Sequence, residues 1–157
     1  MKRVALAARV RDAAGDHAAG AYPYEGCGLL IGYHSGDEVR VSRLLPCPNV
    51  APPEKRAHFF MIDPRVVINV RRSLRNTQEQ VVGFYHSHPD AAAAPSATDM
   101  EYIRLWPETV WLIVPVTGGE PGEVRAWWLD EPEQERAREL GVEIIPVRTT
   151  AVTACPE

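Results

Sequence analysis

Apolar and polar positions along this chain follow two different periods, and the places where the period changes mark its elements. Residues 4–6 form a short apolar run that reads as a strand. An alanine-rich segment from 7 to about 19 then reads as a helix, with Gly15 its weak point. Tyr22-Pro23-Tyr24 breaks that pattern before residues 27–32, a compact apolar run suited to a buried strand. Gly36-Asp37 reads as a hairpin turn into 38–45, where Val39, Val41 and Leu44 are interleaved with polar residues. Residues 46–54 carry four prolines and are expected to be an irregular loop, followed by a further strand over 58–62.

Asp63-Pro64 is a helix start, with Asp63 at the N-cap and Pro64 at the first helical position. Val66, Val67, Val70 and Leu74 supply the apolar stripe, and Arg71, Arg72 and Arg75 read as a solvated face. VVGFY over 81–85 is strand-like, 99–106 a short helix, and 111–116 and 124–129 two strands joined through Gly118-Gly119. The charged segment 131–140 reads as a surface helix closed by Gly141, with a last strand over 143–148 and a frayed tail. Strands and helices mixed without strict βαβ alternation predict an α/β fold, a mixed sheet with helices packed on it.

Length and charge narrow the classes. The 157 residues predict one domain, 1–157, with a core over about 3–130 and a C-terminal extension over about 131–157. A formal charge of −4 argues against a nucleic-acid partner, which calls for a basic face. Cys27, Cys47 and Cys155 are an odd number without a CxxC pair, which fits a reducing compartment. Arg9, Arg11 and Asp12 interrupt the apolar run that a signal peptide needs, and no stretch approaches the ~18 apolar residues of a membrane span. The expectation is a soluble cytoplasmic protein; nothing in the pattern fixes its oligomeric state.

The candidate chemistry lies in HSHPDAAAAPSATD, from His86 to Asp99. His86 and His88 are two apart behind a strand, so their side chains share a face and their imidazoles can converge on one ion. After a loop comes Asp99, whose carboxylate could join them. Two imidazoles and one carboxylate leave a tetrahedral zinc one ligand short, the arrangement of a catalytic centre, which points to a hydrolase. Ser96-Ala97-Thr98-Asp99 also reads as a capping box, and capping and ligation are compatible. A hydrolytic zinc site needs a proton acceptor as well, and Glu25, just ahead of the strand at 27, is the candidate. The other histidines, His17, His34 and His58, read as structural, Cys27 as strand packing, and Trp111, Trp127 and Trp128 as core and sheet residues.

Glu25-Gly26-Cys27-Gly28-Leu29-Leu30, His86-Ser87-His88-Pro89 and Ser96-Ala97-Thr98-Asp99 together resemble the JAMM (MPN-plus) metalloprotease family, in particular its small bacterial members. That family's signature is a glutamate, then His-x-His, seven residues, serine, two residues and aspartate, and all five positions match. The resemblance implies that His86, His88 and Asp99 bind zinc and that Glu25 acts through the zinc-bound water as general base and acid. It implies that Ser96 donates a hydrogen bond to the oxyanion of the tetrahedral intermediate. It also implies a cytidine-deaminase-like α/β sandwich, although the deaminases themselves fit poorly for want of a Pro-Cys-x-x-Cys segment.

The implied substrate is the diglycine tail of a ubiquitin-like sulfur-carrier protein, cut at an amide or isopeptide bond and laid along a sheet edge as an added strand. Two alternatives stand beside it: a non-catalytic MPN-type interaction scaffold, and a zinc amidohydrolase of small peptide or amino-acid conjugates.

Overall fold

A computed structural model describes residues 1–146 of the chain. Among them the elements run β1 (Arg3–Ala7), α1 (Ala8–Ala21), β2 (Cys27–Ser35), β3 (Glu38–Cys47), α2 (Pro64–Ser73) and β4 (Gln80–Pro89). There follow α3 (Ala97–Leu105), β5 (Val110–Thr117), β6 (Glu120–Pro121), β7 (Arg125–Trp128) and β8 (Arg138–Ile145). The strands form one mixed sheet in the order β4-β2-β3-β1-β8-β7-β5-β6. Because β4 also pairs with β5, seven strands close into a ring and β6 is a short appendage. The expected mixed α/β architecture is present.

Alternation along each strand divides the apolar residues between two cores. Val4 and Leu6 of β1, Val39 and Val41 of β3, Val110, Leu112 and Val114 of β5 and Leu140 of β8 face α1. That helix presents Val10, Ala14 and Ala18, spaced by four so that they share one face, and alanine at two of them lets strands approach closely. The opposite face carries Cys27, Leu29, Phe84 and Trp111, covered by Phe60, Ile62, Val67 of α2, and Met100 and Ile103 of α3. The second core is the one on which the candidate site is built. Asp63 caps α2 as expected, its side chain accepting from Arg65 N.

Two expectations need correction. Residues 58–62 keep the alternation of a strand, with Phe60 and Ile62 buried, but form none. Their backbone is bonded to a neighbouring loop instead of a strand: Asn49 Nδ2 donates to Phe59 O, Met61 N donates to Asn49 Oδ1, and Val50 N donates to Met61 O. The segment 131–140 is not a helix. It passes through turns into β8, where Leu140, Val142 and Ile144 point to the α1 side. A charged run with no apolar stripe at helical spacing has no face to bury, whereas these alternating residues do. Gly141 pairs with Arg3 inside the sheet and caps nothing. The last predicted strand is present as far as Ile145; positions 147–148 and the tail lie outside the described residues.

Candidate metal centre

Strand β4 positions the histidines. Gly83 makes its close approach to β5 possible, since a Cβ there would lie 2.0 Å from Val110 O. His86 and His88 point to the second core's face, where Phe60 stacks on the His86 ring with centroids 4.6 Å apart. Between them Ser87 faces the other way, wholly buried, and its Oγ accepts from Gly26 N at 2.7 Å. Ser87 N in turn donates to Gly26 O at 3.0 Å, so the residue between the histidines fastens the Glu25–Gly26 segment to β4. Asn49 completes the attachment, with Nδ2 donating to Glu25 O.

Helix α3 brings Asp99 back to the strand. Ser96 is its N-cap, with Oγ accepting from Asp99 N at 3.0 Å, while Asp99 Oδ2 accepts from Ser96 N at 2.9 Å. The same Oδ2 lies 3.2 Å from His86 Nε2 and 2.9 Å from His88 Nε2, and the two Nε2 atoms are 3.0 Å apart. One aspartate therefore both caps a helix and closes a triangle with two imidazoles. Glu25 joins the group: ligand atoms of Glu25, His86, His88 and Asp99 all lie within 4.8 Å of one another, and all four residues are buried.

These donors fit a small cation. Ligands about 2.0–2.1 Å from a tetrahedral zinc stand about 3.3 Å from each other, close to the edges of this triangle. His88 Nδ1 donates to Ala92 O at 2.7 Å, which leaves Nε2 of the neutral ring as a lone pair aimed inward. Without a cation or shared protons, three electron-rich atoms at this spacing repel. His86 Nδ1 and Glu25 Oε2 are buried without a hydrogen-bond partner.

The electrostatics agree. Burial, with Asp99 adding repulsion, pushes Glu25 up to about 8. Burial lowers His86. Burial also opposes charge on Asp99, but His86 first, then His88 and the Ser96 N–H, outweigh it; on His88 burial is outweighed by Asp99 and the Ala92 carbonyl. Asp99 is held well below the usual carboxylate range and His88 is raised. A cleft of about 150 Å³ lined by Glu25, Ala57, His58, His88, Pro89, Ala91 and Ser96 leads to the group.

The structure thus brings together Glu25, His86, His88 and Asp99, with Ser96 at the cleft wall. Sequence reasoning missed Ser87 and Asn49. A serine between two like-facing histidines must point to the opposite sheet face, a signal that was available for Ser87; nothing local marks Asn49.

The sheet, the buried donor set and its cleft define the class, a mixed α/β hydrolase of the JAMM type. Residues 7–130 match the family described as prokaryotic homologs of the JAB domain, and the chain belongs to that family. It is 38% identical over 115 residues to the desampylase of Haloferax volcanii, covering 71% of this chain and 79% of that one. It is 32% identical over 112 residues to a probable TtuB-protein conjugate cleaving protease of Thermus thermophilus, covering 71% of this chain and 66% of that one. The solution structure of protein DSY2949 from Desulfitobacterium hafniense superposes with a TM-score of 0.76 at 26% identity, covering 91% of this chain and 93% of that one. No helix among the described residues is long and apolar enough to cross a membrane.

Proposed function

We propose that this chain is a zinc-dependent peptidase that hydrolyses the amide or isopeptide bond after the diglycine tail of a ubiquitin-like sulfur-carrier protein in the cytoplasm. The convergence of four buried ligand-type atoms within 4.8 Å carries the reading. The relatives' names, a desampylase and a conjugate-cleaving protease, support the substrate class. On this reading the fold is the cytidine-deaminase-like sandwich, and residues 1–157 act as a single domain.

His86 Nε2, His88 Nε2 and Asp99 Oδ2 would hold the zinc. When bound, zinc would polarise a carbonyl oxygen and bring the pKa of water down to about 7. The residues do the rest. Glu25, buried beside the ligand atoms and held in its charged form by the cation, takes the proton of the attacking water and delivers it to the leaving amine. Its burial keeps bulk water from competing for that proton. Ser96 has its Oγ lone pair engaged by Asp99 N, which leaves the hydroxyl proton free to donate to an oxyanion.

Ala57, Ala91 and Pro89 keep the cleft narrow, which suits a backbone without side chains. Past His86, β4 outruns β2 and keeps only the Ser87–Gly26 bonds on that side, so the backbone at 88–89 offers an extended tail a place to lie.

The test is a panel of diglycine-linked ubiquitin-fold conjugates and short amides, assayed with the zinc-loaded enzyme, after chelation, and with Glu25→Gln. Cleavage of the conjugates alone, lost on chelation and restored by zinc, is expected, with Glu25→Gln retaining zinc but nearly inactive. Preference for the short amides would favour a small-conjugate amidohydrolase. A protein that binds no zinc and cuts nothing would be a scaffold.

A further inference from the structure

Glu25 has no side-chain hydrogen bond to aim it: Oε2 is buried without a partner. Its carboxylate is placed by its backbone, and that backbone is held by two sets of contacts. Ser87 bonds both the N–H and the carbonyl of Gly26. Against the same glycine lie two polar groups that the chemistry above leaves unused, His17 of α1 and Tyr85 of β4. Tyr85 has no exposed surface, and its hydroxyl lies 2.8 Å from His17 Nδ1, with the two rings edge to face. A Cβ built on Gly26 would stand 2.7 Å from the Tyr85 hydroxyl and 3.0 Å from His17 Nδ1. The Gly26 backbone therefore rests directly on this pair, and no other residue type fits there without moving it.

We propose that the His17–Tyr85 pair is a positioning strut for Glu25: it fixes the height of the Gly26 backbone and through it the reach of the Glu25 carboxylate toward His88 and Asp99. The proposal rests on the reading of Glu25 as the proton-carrying group. A phenylalanine and an aliphatic residue could fill the same space without desolvating a hydroxyl and an imidazole. What the polar pair adds is a directional contact at one length, where dispersion alone leaves a soft and variable floor. The strut also ties α1 to the strand carrying both histidines, so Glu25 and its neighbours are referenced to one frame. Neither His17 nor Tyr85 reaches the substrate cleft, so both are positioning residues.

Tyr85→Phe keeps the ring and removes the contact. With zinc-loaded enzyme and a diglycine-linked ubiquitin-fold conjugate, kcat is expected to fall about tenfold, within the loss that a misplacement under 1 Å produces. KM, zinc stoichiometry and the unfolding midpoint should change little. Placed in the Glu25→Gln background, Tyr85→Phe should lower the residual rate no further, because it acts through Glu25. Gly26→Ala is a second probe: its loss should be smaller beside Tyr85→Phe, where the oxygen that its methyl meets is gone. Unchanged kcat in Tyr85→Phe, an equal loss in both backgrounds, or a loss explained by missing zinc overturns the strut. A fully active Glu25→Gln enzyme overturns the role of Glu25 and the strut with it; an inactive one beside an unimpaired Tyr85→Phe overturns the strut alone.

Discussion

Removing the charge of Glu25 should make the metal-free protein more stable, and increasingly so as the pH rises. Glu25 is 4% exposed and has Asp99 beside it, and its folded pKa rises from 4.5 to about 8. Between those two values the folded chain binds a proton that the unfolded chain has lost. Stability contributed by the neutral carboxyl is therefore complete below 4.5 and drains away as the pH rises to about 8. At about 1.4 kcal/mol per pH unit, the full interval of roughly 3.5 units amounts to about 4 to 5 kcal/mol.

Glu25→Gln removes this dependence and leaves a pH-independent offset from its buried amide. His86 and His88 are shifted in opposite directions, His86 down by burial and His88 up beside Asp99, so the wild-type curve alone is not diagnostic; the difference between variant and wild type isolates Glu25. The assay is thermal or urea unfolding of both proteins in excess chelator from pH 5 to 9. The variant should gain on the order of 10 °C relative to wild type across that range. Saturating zinc should shrink the pH-dependent part, because a dication beside the carboxylate favours its charged form. A difference independent of pH in the metal-free proteins would show that Glu25 is solvated, and the buried-base argument would fall.

Asp99→Asn should separate ligation from capping: the amide oxygen can still accept from Ser96 N, so α3 should keep its helical circular dichroism, while the metal-free melting point falls because the carboxylate's attraction to the two imidazoles is lost. Zinc affinity, read by competition with a chromogenic chelator, should fall by more than the roughly 100-fold of an outer-sphere change. In wild type the depressed Asp99 pKa contributes stability that is present above its unfolded value of 3.8 and lost as the pH falls below it, which an acid titration by circular dichroism would follow. Asn49→Ala removes bonds to Glu25 O, Phe59 O, Ala51 N and Met61 N, and should cost about 2–4 kcal/mol in urea unfolding along with most activity. Gly83→Ala sets a methyl against Val110 O and should cost about 3 kcal/mol or more, seen as a lowered melting point or insoluble protein.

The chain announces its donor set more clearly than its scaffold. His86 and His88 are neighbours on a strand, and Ser96 and Asp99 are neighbours on a helix turn, so their spacing is a local fact that local rules can read. Glu25 could be named only from its place ahead of a strand and from the family resemblance, because sixty residues separate it from the histidines and only the β2–β4 register brings it alongside. Asp99 serving as cap and triangle vertex at once was half legible: the capping box was, its sharing of one oxygen with two imidazoles was not. The two misassigned segments fail for non-local reasons. Residues 58–62 have a strand's alternation but find Asn49 where a neighbouring strand would be. Residues 138–140, inside the expected helix 131–140, are drawn into β8 by pairing with β7, and that strand is held along its other flank by β1, far away in sequence.

That recruitment has a bearing on how the protein is made. Strand β1 lies between β3 and β8, and β8 is the last strand described, joined to it in parallel from Arg3↔Gly141 to Ala7↔Ile145. During synthesis β1 must wait with one flank bare until β8 has emerged, long after its other neighbour β3. Chain shortening ahead of residue 138 would leave both β1 and β7 as open templates for intermolecular pairing, and the product should aggregate even though every group of the catalytic cluster is still encoded.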